Sequence, residues 1–179
     1  LARCGHLVGV RVLDGSGSGT TAPAGAVIDW MTGNHQPGVP AVANRSLGGG
    51  ADAAMDAAVT KAIADGITFG VAAGNDGGFV TDLLGASDAC NGSPARVPGA
   101  LTVAATDNSD ARASYSNRGS CVELWAPGTD STRDGNASDT ATNPIRGTSM
   151  APPHAAGGAA GRPSRGSDLR GGVASRSGW

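Results

Sequence analysis

The sequence predicts an α/β domain built around a mostly parallel sheet, and three observations lead there. Apolar, β-branched runs alternate with segments whose apolar residues recur at helical spacing. The joints between them are short and glycine-rich, as successive βαβ units require. A length of 179 residues with 39% hydrophobic content is enough for one buried core.

Leu7 to Leu13, LVGVRVL, reads as a strand that runs into the turn DGSGSGT. AGAVIDWM has helical spacing and stops at Thr32, Gly33 and Asn34, before the loop HQPGVP. VPAVANRSL reads as a second strand closing on GGG. Asp52 supplies an acid at the start of a helix in which Ala54, Met55, Ala58, Val59, Ala62 and Ile63 recur at i, i+3 and i+4, and Gly66 is its natural stop. ITFGVAAG follows as a buried strand and ends in the loop NDGG. ALTVAATD and CVELWAPG are two further strands. The stretch Thr129 to Asn143 is polar, and GTSMAPPHAAGGAA is a turn feeding a small-residue helix. From Gly161 the chain is rich in Arg and Gly without periodicity, so residues 161–179 are expected to form a flexible tail after a domain at 1–160. Ligands of such sheets gather at the carboxyl ends of the strands. Here those ends are Leu13-Asp14-Gly15, Ser46-Leu47-Gly48 and Ala73-Gly74-Asn75.

Composition narrows the function. The 13 basic residues, all but Lys61 arginine, and 15 acidic residues give a net charge of −2, so no polyanion-binding surface is implied and nucleic acid is not an expected partner. No apolar run approaches the roughly 18 to 20 residues of a membrane span, and LARCGHLVGV lacks the parts of a signal peptide. Three cysteines cannot all pair with one another. Cys90 and Cys121 sit at the edges of Gly/Ser/Asn-rich turns and are expected to cross-link, which leaves Cys4 over; three reduced thiols are the alternative. The glycine-rich loops do not form G-x-G-x-x-G or G-K-[ST], which argues against a nucleotide site.

Gly147-Thr148-Ser149-Met150-Ala151 places a serine where a tight turn enters a helix, with backbone N–H groups facing whatever its hydroxyl attacks. Alone, that motif reads more readily as a helix cap at Thr148 or Ser149, because Ser and Thr are common at helix starts. VAAGN, ending at Asn75, finishes a strand on small residues and then presents a carboxamide. With SLGGG, VAAGN and GTSMA in this order, the chain from about Leu7 to about Gly158 resembles the subtilisin-like serine peptidases, most of all their proteinase K-like branch. The resemblance implies a three-layer subtilisin-like fold, incomplete here on its N-terminal side, and a secreted, monomeric endopeptidase that acts on peptides or proteins.

It further implies that Ser149 is the acylating nucleophile and Asn75 a side-chain donor of the oxyanion hole, with the Ser149 N–H as the second donor. Ser46, Leu47 and Gly48 would pair with an extended peptide by main-chain hydrogen bonds. Ala72, Ala73 and Gly74 would line the pocket for the side chain just before the cleaved bond, with room for a large apolar residue. Pro98, Ala100 and Glu123 match positions that hold a structural calcium ion in this branch, although Asp is usual where Glu123 stands. The Cys90–Cys121 pairing also recurs there.

A serine hydroxyl needs a base, and the family uses a His oriented by an Asp. Neither family motif is present. His6 reads as an edge or surface residue and His35 as a solvated loop residue. The resemblance gives His154 a packing role on the helix after Ser149, and Asp14 belongs to a loop. Arg45 stands where the family has an apolar residue, Pro152 removes an N–H from the first helical turn, and Gly157, Gly158, Gly161 and Pro163 weaken the helix. The expectation is therefore the carboxyl-terminal part of a peptidase domain, with an inactive fragment or a non-catalytic peptide-binding domain as the alternative.

Overall fold

The computed structural model describes residues 5–134, 138 and 140–161. In chain order the elements are helix α1 (Thr21–Asn34), strands β1 (Ala41–Arg45) and β2 (Gly49–Gly50), helix α2 (Ala53–Ala64), strand β3 (Ile67–Ala72) and helix α3 (Phe79–Leu83). Strands β4 (Gly92–Ser93), β5 (Leu101–Thr106), β6 (Leu124–Pro127), β7 (Ser131–Asp134) and β8 (Thr142–Ile145) follow, and then helix α4 (Ala151–Ala160). The main sheet has the order β1-β3-β5-β6 with every pair parallel, so the expected α/β class holds.

Alternation along β3 sorts the two faces of the sheet. Ile67, Phe69 and Val71 join Ala24 and Ile28 of α1 and Met55, Val59 and Ala62 of α2 in one core cluster. Gly70, between them, faces α4: a Cβ there would lie 3.9 Å from the Ala156 Cβ and 3.7 Å from the Pro152 carbonyl oxygen. On that face Val103, Ala126 and Ala151 pack together. Burial of Phe69 and Val59 contributes roughly 1.5–3 kcal/mol each.

Local chemistry explains the helix ends. The Asp52 carboxylate accepts from the Ala54 and Met55 N–H groups at 3.0 and 3.1 Å and so caps α2. Gly66 ends the helix at φ 104°, a left-handed conformation open to glycine. The two prolines of α4 lie in its first turn, where N–H groups have no acceptor within the helix, so Pro152 removes no hydrogen bond. The helix runs through Gly157 and Gly158 and reaches its C-cap at Gly161.

One expectation needs correction, and two elements are present that the sequence did not suggest. Residues 7–13 form no strand: no neighbouring strand among the described residues takes up their backbone groups, and Leu7 and Val8 are 99% and 67% exposed. The polar stretch after Thr129 contains the antiparallel pair β7–β8, with Ser131 opposite Ile145. The segment after NDGG forms α3, whose apolar side chains face outward. Cys90 and Cys121 are joined by a disulfide with their Cα atoms 5.4 Å apart. Cys4 and the expected tail beyond Gly161 lie outside the described residues. No described helix is long and apolar enough to cross a membrane.

Candidate active site

The parallel register brings the carboxyl ends of β1 and β3 side by side, and the turn before α4 closes over them. Residues 148–150 form one 3-10 turn, held by the Met150 N–H on the Gly147 carbonyl at 3.0 Å. Ser149 sits in this turn and is tied to the end of β1 in both directions. Its hydroxyl donates to the Ser46 carbonyl at 3.1 Å, and the Ser46 hydroxyl donates to the Ser149 carbonyl at 2.7 Å.

Asn75 is fixed through its carboxamide oxygen. Oδ1 accepts from the Thr148 N–H at 2.8 Å and from the Thr148 hydroxyl at 3.0 Å. Thr148, fully buried, accepts in turn from the Gly74 N–H at 3.2 Å. With the oxygen committed to these donors, the two Nδ2 hydrogens must point elsewhere. Asn75 Nδ2 and the Ser149 backbone N each lie 3.8 Å from the point where a Cβ on Gly147 would sit. The Asn75 Oδ1 atom is equally near that point, so two N–H-bearing nitrogens and one carboxamide oxygen border the space that glycine at 147 leaves open. Sequence reasoning named Thr148 only as a possible helix cap and missed its hold on the Asn75 carboxamide.

The loop after Asn75 is clamped by residues 115–117. Gly77 donates to the Tyr115 carbonyl at 2.8 Å, Asp76 N–H to Asn117 Oδ1 at 2.8 Å, and Asn117 N–H to the Gly74 carbonyl at 2.9 Å. Arg112 braces α3 in turn, with a two-pronged pair to Asp82 at 2.7 and 2.8 Å. Those bonds, followed by the Ser87 hydroxyl, hold the Asp82 carboxyl far below the usual carboxylate range.

Of the expected pocket residues, Ala72 and Ala73 are buried and Gly74 turns at φ 110°. The Ala73 methyl packs with Ala89, Ala95 and Ala104 inside the protein. Ser46 and Leu47 are half-buried and Gly48 is exposed, leading into the short β2–β4 pair.

None of the three histidines hydrogen-bonds the Ser149 hydroxyl. His6 is exposed, and so is His154, which corrects the packing role expected for it. His35 is no solvated loop residue: its side chain is 5% exposed. Nδ1 lies 2.7 Å from Asp65 Oδ2 and Nε2 lies 2.7 Å from the Val39 carbonyl oxygen. Two acceptors on one imidazole favour the protonated ring, so the Val39 carbonyl and then Asp65 raise its pKa. Asp14 accepts from the Ser16 N–H, the Ser16 hydroxyl and the Ser18 N–H within its own loop.

The oxygens expected to hold calcium are sparse. The Ala100 carbonyl already accepts the Thr102 N–H at 3.1 Å, while Pro98 and Glu123 are exposed. Calcium takes six to eight oxygens, and this set brings one carboxylate. Among the described residues no three His, Cys, Asp or Glu side chains are grouped to hold a metal.

Comparison with known proteins identifies the family. The family described as "Subtilase family" matches residues 5–164. The chain is 53% identical over 151 residues to an extracellular serine proteinase of Thermus sp. (strain Rt41A), covering 84% of this chain and 34% of the relative. It is 48% identical over 155 residues to alkaline serine exoprotease A of Vibrio alginolyticus, covering 87% of this chain and 27% of that protein. A crystal structure of a cold adapted subtilisin-like serine proteinase superposes with a TM-score of 0.74 at 49% identity, covering 84% of this chain and 50% of the other. The chain therefore spans between about a quarter and a third of the length of these curated relatives and half of the solved structure.

Proposed function

Because this chain belongs to the subtilase family, we propose that it carries the nucleophile and the oxyanion hole of a secreted serine endopeptidase. The observation that supports this reading is that Asn75 Nδ2 and the Ser149 N lie about the same space at Gly147 while Thr148 occupies the neighbouring Asn75 Oδ1. Ser149 Oγ attacks the carbonyl carbon of a peptide bond lying on the Ser46–Gly48 edge. As the tetrahedral intermediate forms, its oxygen gains charge and accepts from both donors. Thr148 keeps Asn75 turned to meet it. Collapse expels the amine and leaves an acyl group on Ser149, which water then removes.

Attack requires a base for the hydroxyl proton. In this chain that proton faces the Ser46 carbonyl, an amide oxygen far too weakly basic to take it. Among the described residues no side-chain base hydrogen-bonds this hydroxyl, so in this proposal the described site supplies binding and electrostatic stabilisation. The same observation favours a second reading, a peptide-binding form that does not cleave. Pro98, Ala100 and Glu123 bring too few oxygens to hold calcium by themselves, and no step of this proposal depends on the ion.

A fluorophosphonate probe tests the main reading. It adds mass to Ser149 in the folded protein and none to Ser149→Ala. Folded protein that binds peptide without labelling establishes the second reading in its place.

A further inference from the structure

Arg45 puts a charge where its surroundings are apolar. It is the last residue of β1, opposite Val71, and shares a strand face with Ala43, which packs into the core with Ala24, Ile28 and Met55. The side chain is half-buried. Its Nε donates to the Leu47 carbonyl at 3.2 Å, and this holds the guanidinium beside Leu47. Among the described residues no carboxylate lies within 4.0 Å of it. Asp52 is the charge that acts on it from a distance, but Oδ1 of that carboxylate is committed to capping α2. An arginine remains protonated under such conditions, so charged N–H donors are left at the edge without a counter-ion in contact.

We propose that Arg45 is a specificity-determining residue that selects an acidic side chain in the peptide bound along Ser46–Gly48, at the second or fourth position before the cleaved bond. The inference rests on the peptidase reading above and names the substrate class for that same edge. The Ser149 hydroxyl meets the Ser46 carbonyl, so the residue under attack lies beside Ser46. A peptide running from there toward Gly48 sets its second residue beside Leu47 and its fourth beside Gly49. Side chains alternate between faces along an extended chain, and these two share the face that Arg45 occupies. A carboxylate there meets the guanidinium in a setting that is partly shielded from water.

The test uses three labelled peptides, identical except for Glu, Gln or Lys at the second position, and a second set varied at the fourth. Binding is followed by fluorescence anisotropy on Ser149→Ala protein, where no cleavage intervenes. At one of the two positions Glu binds about tenfold more tightly than Gln, with Lys weakest. The Glu-to-Gln ratio falls toward one in Arg45→Met and is largely kept in Arg45→Lys. Raising salt from about 0.05 to about 0.5 M also shrinks it, and this readout stands even if Arg45→Met does not fold. Equal affinities for Glu and Gln at both positions, or a ratio that persists in folded Arg45→Met, overturn the proposal while leaving the peptide-binding edge intact. Failure of every peptide to bind overturns that edge, and this inference with it.

Discussion

The carboxyl ends of β1 and β3 and the segment ahead of α1 are made of similar residues, small and apolar with glycine-rich turns, yet the chain treats them in opposite ways. At the first, Ser46, Gly74, Asn75, Thr148 and Ser149 exchange hydrogen bonds across separations of more than 70 residues. At the second, residues 7–13 pair with no described strand and leave Leu7, Val8 and Val10 99%, 67% and 42% exposed. A hydrogen-bonded cluster closes on itself once its members are present. A strand is only half a structure, and without a neighbour its backbone groups and apolar side chains remain with water. The cluster around Ser149 and Asn75 is therefore closed by its own hydrogen bonds, whereas residues 7–13 are left without a partner among the described residues.

Breaking the closed region gives the largest expected effects. Reduction of Cys90–Cys121, which spans 31 residues, lowers stability by roughly 3 to 4 kcal/mol, measured by denaturant unfolding with and without reductant. An unchanged midpoint would mean that this region is held by packing alone. Gly77→Ala follows, because a Cβ at that position would fall 2.5 Å from the Tyr115 carbonyl carbon and 2.6 Å from the Ser116 carbonyl oxygen. Backbone must shift, at a cost of about 1–3 kcal/mol. The loop that follows Asn75 moves with it, so fluorophosphonate labelling slows as well as stability falling.

His35 sharpens the comparison through pH. Its pKa is raised in the folded protein, so its contribution to stability is full below the unfolded value, about 6.5, and is lost as pH rises through the folded value. Melting temperatures of the native protein and His35→Gln should thus differ most in mildly acidic buffer and converge on the alkaline side. A gap that widens with pH would contradict the doubly bonded imidazolium. The smallest effect is expected in the open segment. Leu7→Ser should alter stability by less than about 0.5 kcal/mol, since the side chain touches water on nearly every side. A large loss there would show that the segment is paired after all.

Most of the sheet and its helices was legible because local signals and tertiary demands agreed. Asp52 caps α2, Gly66 stops it, and the apolar run from Ile67 is buried on both faces of β3. Two misreadings, of residues 7–13 and of His35, share a cause, which is that the deciding partner is not a sequence neighbour. LVGVRVL has strand composition, but composition does not supply a neighbour. His35 looked like a turn residue because Asp65, which holds it, is 30 positions away. The β7–β8 pair was hidden in polar residues, and α3 leaves Phe79, Val80 and Leu83 exposed, so neither showed a buried periodicity. At the site, the GTSMA and VAAGN motifs supplied Ser149 and Asn75, whereas the part of Thr148 in orienting the carboxamide emerged only from the geometry.

A crystal structure of the protein with a peptidyl phosphonate bonded to Ser149 tests the central claim most directly. The account predicts a phosphonyl oxygen about 2.7–3.1 Å from both Asn75 Nδ2 and the Ser149 N. An oxygen that meets only one of them, or an Asn75 carboxamide turned away from it, would contradict the account.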